Sequence, residues 1–197
     1  MSFVVSRRTH PTATPAPRDP LEAGAQWRLP DGACVRLRRV RPSDANALAR
    51  LVRELSPCTR RARFPGSLGA LTATQLSELT DVDFDHHVGC AVTIVDDRGE
   101  QLVGEARYMV DGSSGTADIA LVLDDAWQRR GIGTRVLLAV ITSATQRGLH
   151  WLRADVGRDN TAMLSLLQRC GFAASPHPDE VELMQLHLQL QALPSPD

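Results

Sequence analysis

The spacing of apolar residues changes from a helical pattern to a strand pattern along the chain. Between residues 43 and 55, apolar positions recur at intervals of three and four, which predicts one face of an amphipathic helix. From residue 90 onward the pattern becomes that of strands, in runs at 90–95, 102–110 and 117–123 that turn-forming residues separate. Three strands joined by short turns predict an antiparallel meander.

After residue 123 the helix and strand patterns alternate. Helical spacing at 134–147 and 160–170 flanks a strand pattern at 151–156, and a last alternating run covers 184–190. A strand, a helix and a strand in succession favour parallel neighbours in a sheet. The predicted fold class is α/β, of the α+β type, with a mixed central β-sheet and helices on both of its faces.

Composition sets the expected domain limits. Four prolines lie between residues 9 and 20, where large apolar side chains are almost missing. Such a stretch cannot bury enough surface to offset the entropy lost on ordering. Residues 1–30 are therefore predicted to be an N-terminal tail, either disordered or docked through Trp27 and Leu29. A single domain is expected at 31–191, followed by a C-terminal tail at 192–197.

Charge and hydropathy exclude several kinds of partner. The formal net charge is −1, so no overall basic field favours nucleic acid or an anionic membrane, and every basic residue is arginine. No apolar run approaches the ~20 residues that cross a bilayer, and the N-terminus lacks the apolar core of a signal peptide. The four cysteines form no CxxC pair. These features predict a cytoplasmic protein without a metal, nucleic-acid or membrane partner.

One polar patch leaves two interpretations open. Asp81, Asp83 and Asp85 alternate along the chain and are followed by His86 and His87. These residue types can bind a metal ion, but alternating acids are also typical of a solvated loop before a strand. The loop interpretation is favoured, and the acids would then be free to attract a positively charged molecule.

The most informative motif is a glycine-rich turn between the strand at 117–123 and the helix at 134–147. Gln128 is followed by Gly131 and Gly133, which allow a tight turn and a close backbone approach to an anion. The free N–H groups at the start of the helix suit a pyrophosphate, and Arg129 and Arg130 add positive charge. A Walker loop would need a lysine, and a dinucleotide-binding fingerprint would need three glycines. The motif is therefore neither of these.

This turn resembles the acyl-CoA-binding turn of the GNAT (GCN5-related) N-acetyltransferases. A second motif, Asn160 followed by Gly171-Phe172, resembles the end of the fourth GNAT helix, and the order of elements is similar from about 36 to 172. Within the superfamily, the segment 117–128 and the region around Leu55-Ser56-Pro57 resemble the bacterial protein lysine acetyltransferases.

The resemblance implies acetyl-CoA as the cosubstrate and assigns residues to its parts. Its pyrophosphate would meet the backbone of the glycine turn, and its pantetheine arm would pair with the preceding strand. Asn160 would approach the pantetheine, although it also suits a plain helix cap. The implied cofactor-binding residues are Leu121, Val122, Leu123, Gln128, Arg129, Arg130, Gly131, Ile132, Gly133, Thr134 and Asn160.

Acetyl transfer to an amine needs a base, because an alkylammonium of pKa ~10.4 is not a nucleophile at pH 7. The first candidate is Asp118, which interrupts an apolar strand just upstream of the turn. The family has a glutamate there that serves as the base, so the shorter aspartate favours a water relay. A cross-strand ion pair of Asp118 with Arg107 or Arg153 is the alternative. Glu105, on the neighbouring strand, is the second candidate.

Three functions stay open at this point. The favoured one is transfer to a protein lysine ε-amine, and the others are transfer to a small amine and acyl-CoA binding without catalysis. The family often has a tyrosine acid on its fourth helix, where this chain has Leu167, and the only tyrosine, Tyr108, lies on another predicted strand. Residues 60–65, expected on the acceptor side, are poorer in aromatic residues than in those relatives, which leaves the acceptor undetermined.

Overall fold

The computed structural model describes residues 19–64, 70–97, 99–112 and 114–191. Its helices are α1 (Pro20–Ala23), α2 (Ala45–Glu54), α3 (Pro57–Arg63), α4 (Ala73–Thr80), α5 (Ile132–Gln146) and α6 (Thr161–Arg169). Its strands are β1 (Ala25–Arg28), β2 (Cys34–Arg39), β3 (His87–Asp96), β4 (Gly99–Val110), β5 (Thr116–Leu123), β6 (Trp151–Gly157), β7 (Ala173–Pro176) and β8 (Leu183–Gln189). Short 3-10 turns cover Pro42–Asp44 and Asp125–Trp127.

The strands form one mixed sheet in the order β1-β2-β3-β4-β5-β6-β8-β7. The predicted meander is β3-β4-β5, and every neighbouring pair is antiparallel except β5 and β6. Helix α5 connects these two parallel strands, as the strand–helix–strand pattern predicts. The prediction of an α/β fold with a mixed sheet is confirmed.

Side chains alternate between the two faces of the sheet along each strand. Both faces carry apolar side chains, and helices pack on each of them. On one face, α5 packs over a core that includes Tyr108, Leu137 and Leu152. On the other, the predicted apolar face of α2 packs with Val122 of β5, and α4 lies beside α2. Successive residues of β5 therefore face different environments, which decides what Asp118 and Val122 can contact.

The sheet begins before the expected domain limit at residue 31. Strand β1 pairs with β2 from Ala25 to Arg28, and Asp19 caps α1 and accepts hydrogen bonds from Ser143 Oγ and Arg147 Nε of the α5 region. A strand of four residues carries too short a pattern to be distinguished from a loop by its period. Residues 1–18 and 192–197 lie outside the described residues, so the rest of the expected tails stays a prediction.

The polar patch before β3 is a hydrogen-bonded loop. Asp83 Oδ1 accepts the backbone N–H groups of Asp85, His86 and His87, each at 2.9 Å. These bonds, that of His87 foremost, lower the pKa of Asp83 below its usual value. Within the described ranges, no group of three or more His, Cys, Asp or Glu side chains could hold a metal ion. The same ranges contain no helix that is long and apolar enough to cross a membrane.

Candidate active site

A cleft of about 860 Å³ opens where β5 and β6 separate. The two strands stay paired only from Thr116 to Asp118 and from Trp151 to Arg153, so the narrow end of the cleft lies just beyond these residues. Residues 119–123 and 154–157 form its walls, and the glycine turn and the start of α6 line its wide end. The separation of two parallel strands thus creates a concave site next to the predicted motif.

The β5 wall offers backbone groups to a ligand. Residues 119–123 pair with β4 along one edge, but within the described residues they have no strand partner along the edge that faces β6. Unpaired backbone N–H and C=O groups bind an extended molecule that carries amides of its own, by the same pattern that adds a strand to a sheet. Leu121, Val122 and Leu123 line this edge, as the resemblance implies for the pantetheine arm.

The glycine turn leaves backbone donors free at the wide end. Gly131 has the left-handed conformation, with φ of 78°, and as the N-cap residue it has no side chain to bond the first turn of α5. Gly133 brings α5 close to α6, because a Cβ atom there would lie 3.2 Å from Leu166 Cδ2. The positive end of the helix dipole and the free N–H groups form a site for an anion such as pyrophosphate.

The two arginines of the motif point in different directions. Arg129 lines the cleft and, although it is not glycine, has a φ of 55°. Arg130 stacks over the ring of Trp127 at 4.4 Å and pairs with Asp31, so it is not among the residues that line the cleft. The side chain of Ile132 is fully buried in the core, which leaves only its backbone for a ligand. Sequence position alone does not show which of these side chains faces the cleft.

Gln128 and Asn160 hold the walls in place as well as lining the cleft. Gln128 Nε2 donates to the carbonyl oxygen of Leu123 at 3.0 Å, which ties the turn to the end of β5. Asn160 Oδ1 accepts from the N–H of Met163 at 3.1 Å, so this side chain is the cap of α6. The predicted residues that line the cleft are Leu121, Val122, Leu123, Gln128, Arg129, Gly131, Gly133, Thr134 and Asn160.

Asp118 lies at the narrow end, on the face of the sheet that α2 and α3 flank. Its carboxylate accepts two hydrogen bonds from Arg153, at 2.6 Å from Nε and 2.9 Å from Nη2. Its side chain is 49% exposed, and it is not among the cleft-lining residues. The ion pair with Arg153 that the sequence left as an alternative is present, whereas Arg107 pairs with Glu105 instead.

Glu105, the second candidate base, is buried under two arginines. Arg63 of α3 reaches Oε1 at 2.5 Å, and Arg107 contacts Oε2 at 2.9 Å from Nε and 2.7 Å from Nη2. Burial alone would raise the pKa of Glu105, but the two guanidinium groups together lower it below its usual value. Arg63 also lines the cleft, so it separates Glu105 from anything bound there.

Helix α3 is attached to the segment that leads into the glycine turn. Asp125 accepts from Ser56 Oγ at 2.8 Å and from Thr59 Oγ1 at 2.6 Å. Burial would raise the pKa of Asp125, but these hydroxyl groups and the N–H of Ser56 lower it. One helix thus connects the cofactor side of the cleft with Arg63 and Glu105. The sequence contains these residues, but nothing in their spacing indicates the contact.

Tyr108 is excluded from the cleft. Its ring is fully buried and its hydroxyl lies 3.2 Å from Ser143 Oγ, on the α5 side of the sheet. Leu167, which stands where related enzymes often have a tyrosine acid, is a buried residue of α6 that lines the cleft. In the described residues, no tyrosine can therefore serve the cleft as an acid.

Comparisons with known proteins find similar sequences and similar structures. The family model for the acetyltransferase (GNAT) domain matches residues 35–173. The sequence is 26% identical over 159 residues to an acetyltransferase of Pseudomonas aeruginosa, which covers 80% of this chain and 86% of that protein. The structure is similar to the GNAT domain of S. lividans PAT, with a TM-score of 0.76 and 25% identity over 85% of this chain and 97% of that one.

A further relative is longer than this chain. The sequence is 32% identical over 136 residues to the acetyltransferase Pat of Mycolicibacterium smegmatis. The match covers 68% of this chain but 40% of that protein. The similarity therefore concerns the domain that contains the cleft.

Replacing Gly133 by valine should obstruct the wide end of the cleft. The added side chain would press on Leu166 and approach Leu121 and Leu123, all of which line the cleft. We expect at least a tenfold loss of acetyl-CoA affinity, about 1.4 kcal/mol, in a calorimetric titration. Leu138→Val, on the exposed side of the same helix, is the control for the helix propensity of valine. Unchanged affinity in Gly133→Val would contradict the assignment of the turn.

Replacing Glu105 by glutamine should destabilise the protein. Arg107, whose side chain is 4% exposed, would keep its charge without a buried counter-charge. Breaking such a pair typically costs about 3–5 kcal/mol of unfolding free energy. Because the folded-state pKa of Glu105 is lowered, its contribution is present above the unfolded pKa of about 4.3 and is lost as the pH falls through the folded value.

Urea unfolding of both proteins at pH 7 and at pH 3 measures this effect. The difference between wild type and Glu105→Gln should be large at pH 7 and smaller at pH 3. Glu100→Gln is the control, because Glu100 also pairs with an arginine but its side chain is 27% exposed, and we expect a smaller loss. Equal stability of Glu105→Gln and wild type at pH 7 would show that the buried pair does not stabilise the fold.

Proposed function

Because this chain belongs to the GNAT acetyltransferase family, an acyltransferase family that uses acetyl-CoA as cosubstrate, we propose that it transfers the acetyl group to the ε-amine of a lysine in a protein. The observation that carries the proposal is the cleft between β5 and β6, which leads from the glycine turn to the side of the sheet that bears Asp118. An anionic cosubstrate and a cationic acceptor can then approach from different sides of the sheet.

In this proposal the cleft orients the thioester by three kinds of contact. The N–H groups at the start of α5 bind the pyrophosphate, the open edge of β5 binds the pantetheine amides, and the acetyl group reaches the narrow end. Backbone N–H groups of β5 beyond Asp118 can donate to the thioester oxygen as it becomes negative during attack. The departing thiol has an ordinary pKa of about 8.5, so it can leave as a thiolate without a tyrosine acid.

Asp118 is the proposed base, acting through a water molecule. Arg153 binds both of its oxygens and so fixes the carboxylate, yet each oxygen keeps a second lone pair for water. Its exposure gives solvent access, and its place beside the narrow end keeps it near the emerging acetyl group. Glu105 has no such access, because its side chain is 2% exposed and lies beneath Arg63 and Arg107.

Protein lysine is the proposed acceptor for two reasons. Segments of the sequence resemble the bacterial protein lysine acetyltransferases, and the matched relatives include the acetyltransferase Pat and the GNAT domain of S. lividans PAT. The acceptor side is also open, since Asp118, Arg153 and Trp151 keep 49%, 37% and 37% of their surface exposed. An open face of this kind suits a side chain presented on a protein surface.

One experiment, with labelled acetyl-CoA and a peptide that contains one lysine, tests both acetyl transfer and the identity of the base. We expect wild type to acetylate the peptide, and Asp118→Asn to lower turnover by ~10²–10⁴-fold, because general-base catalysis typically contributes that much. Acetyl-CoA affinity should stay within a factor of about three, since the cleft walls are unchanged. Spermidine in place of the peptide tests the small-amine alternative.

Arg153→Gln is the matched control, because it breaks the same ion pair and keeps Asp118. If the ion pair only stabilises the fold, Arg153→Gln and Asp118→Asn should lose activity to the same extent. That loss should be proportional to the loss of folded protein, measured by thermal melting. Near-normal turnover of folded Asp118→Asn at pH 7 would remove Asp118 from the mechanism. Acetylation of spermidine but of no lysine peptide would contradict the proposed acceptor.

A further inference from the structure

Asp155 occupies the first position on the acceptor side after β5 and β6 separate. It follows Arg153 by two residues in β6, so both side chains lie on the same face of the strand as Asp118 across the last pair. Asp155 lines the cleft, and its side chain is 39% exposed. Its carboxylate is therefore next to the narrow end, where the acetyl group is proposed to emerge.

Among the described residues, Asp155 has no arginine within ion-pair distance, unlike its neighbours, and Arg153 interacts with it only at longer range. Arg153 donates both of its contacts to Asp118, which neutralises that carboxylate, and Glu105 is matched by Arg63 and Arg107. The partner of Asp155 is His177, whose Nε2 lies 3.8 Å from Oδ1. The narrow end of the cleft thus has a paired carboxylate, Asp118, beside it, and it contains Asp155, whose contact is an imidazole.

Backbone contacts orient the imidazole of His177. Its Nδ1 accepts the N–H groups of Asp179 at 3.2 Å and Glu180 at 3.0 Å, in the turn between β7 and β8. A neutral imidazole that accepts at Nδ1 carries its proton on Nε2, which here faces Asp155. The side chain is 13% exposed, so the surrounding protein also holds the ring in place. His177 thus lies beside the carboxylate and, when neutral, adds no positive charge to it.

We propose that Asp155, positioned by His177, binds the ammonium group of the acceptor beside the thioester. This inference rests on the proposed transfer to an amine and names the residue that selects a cationic acceptor. A carboxylate in a partly enclosed cleft attracts an alkylammonium more strongly than a neutral side chain of the same shape, because the Coulomb interaction is less screened there than in water. The bound ammonium can then lose its proton through water to Asp118.

A binding experiment separates this inference from catalysis. The protein is saturated with coenzyme A, which carries no acetyl group, and is titrated with two fluorescent peptides of neutral sequence. One peptide contains a single lysine, and the other contains norleucine, which has a similar length but no charge. We expect wild type to bind the lysine peptide at least about tenfold more tightly. In Asp155→Asn the two affinities should agree within about twofold, while coenzyme A affinity stays unchanged.

Two variants complete the test. Asp179→Asn removes the same charge from the neighbouring turn, where the side chain is exposed and does not line the cleft, so the preference for lysine should persist. In His177→Asn the side-chain oxygen can still accept from the N–H groups of Asp179 and Glu180, but the Nε2 contact is lost. We expect a preference for lysine intermediate between those of wild type and Asp155→Asn.

The outcomes distinguish the two proposals. An unchanged preference for lysine in Asp155→Asn, or an equal loss in Asp179→Asn, would overturn the role of Asp155. An unchanged preference in His177→Asn would overturn the positioning role of the imidazole. If lysine is preferred through Asp155 but the wild type transfers no acetyl group to the same peptide, the binding inference stands and the proposed function is wrong.

Discussion

The pairing between β5 and β6 stops after three residues, and the site depends on this limit. If the two strands stayed paired beyond Asp118 and Arg153, their backbone groups would satisfy each other and no cleft would form. Because they separate, one edge of β5 becomes available over residues 119–123. The ion pair between Asp118 and Arg153 joins the strands at the last point where they meet.

Because the two strands separate, positive and negative charges lie at opposite ends of the cleft. At the wide end, Arg129 and the free N–H groups of α5 provide positive charge for an anionic cosubstrate. At the narrow end, Asp155 provides negative charge beside the ion pair of Asp118 and Arg153, on the proposed acceptor side. Helix α3 contacts both regions, through Asp125 near the glycine turn and through Glu105 near the acceptor side.

The sequence predicted what depends on local periodicity and on short motifs. The helical face of α2, the meander β3-β4-β5 and the turn around Gly131 all have such a pattern, and the structure contains each of them. It did not predict contacts between distant segments, such as Arg63 with Glu105 or Arg130 with Asp31. Those contacts depend on where helices and loops dock on the sheet, and arginines that do and do not face the cleft look alike in sequence.

Amide hydrogen exchange with and without acetyl-CoA tests the central claim most directly, that the cosubstrate binds between β5 and β6. Backbone amides at 119–123 and 131–134 should exchange more slowly when acetyl-CoA is present, because the ligand would accept from or cover N–H groups that now face the cleft. Amides of β1 and β2, at the far edge of the sheet, should be unaffected. Saturating binding without protection at 119–123 and 131–134 would contradict the account.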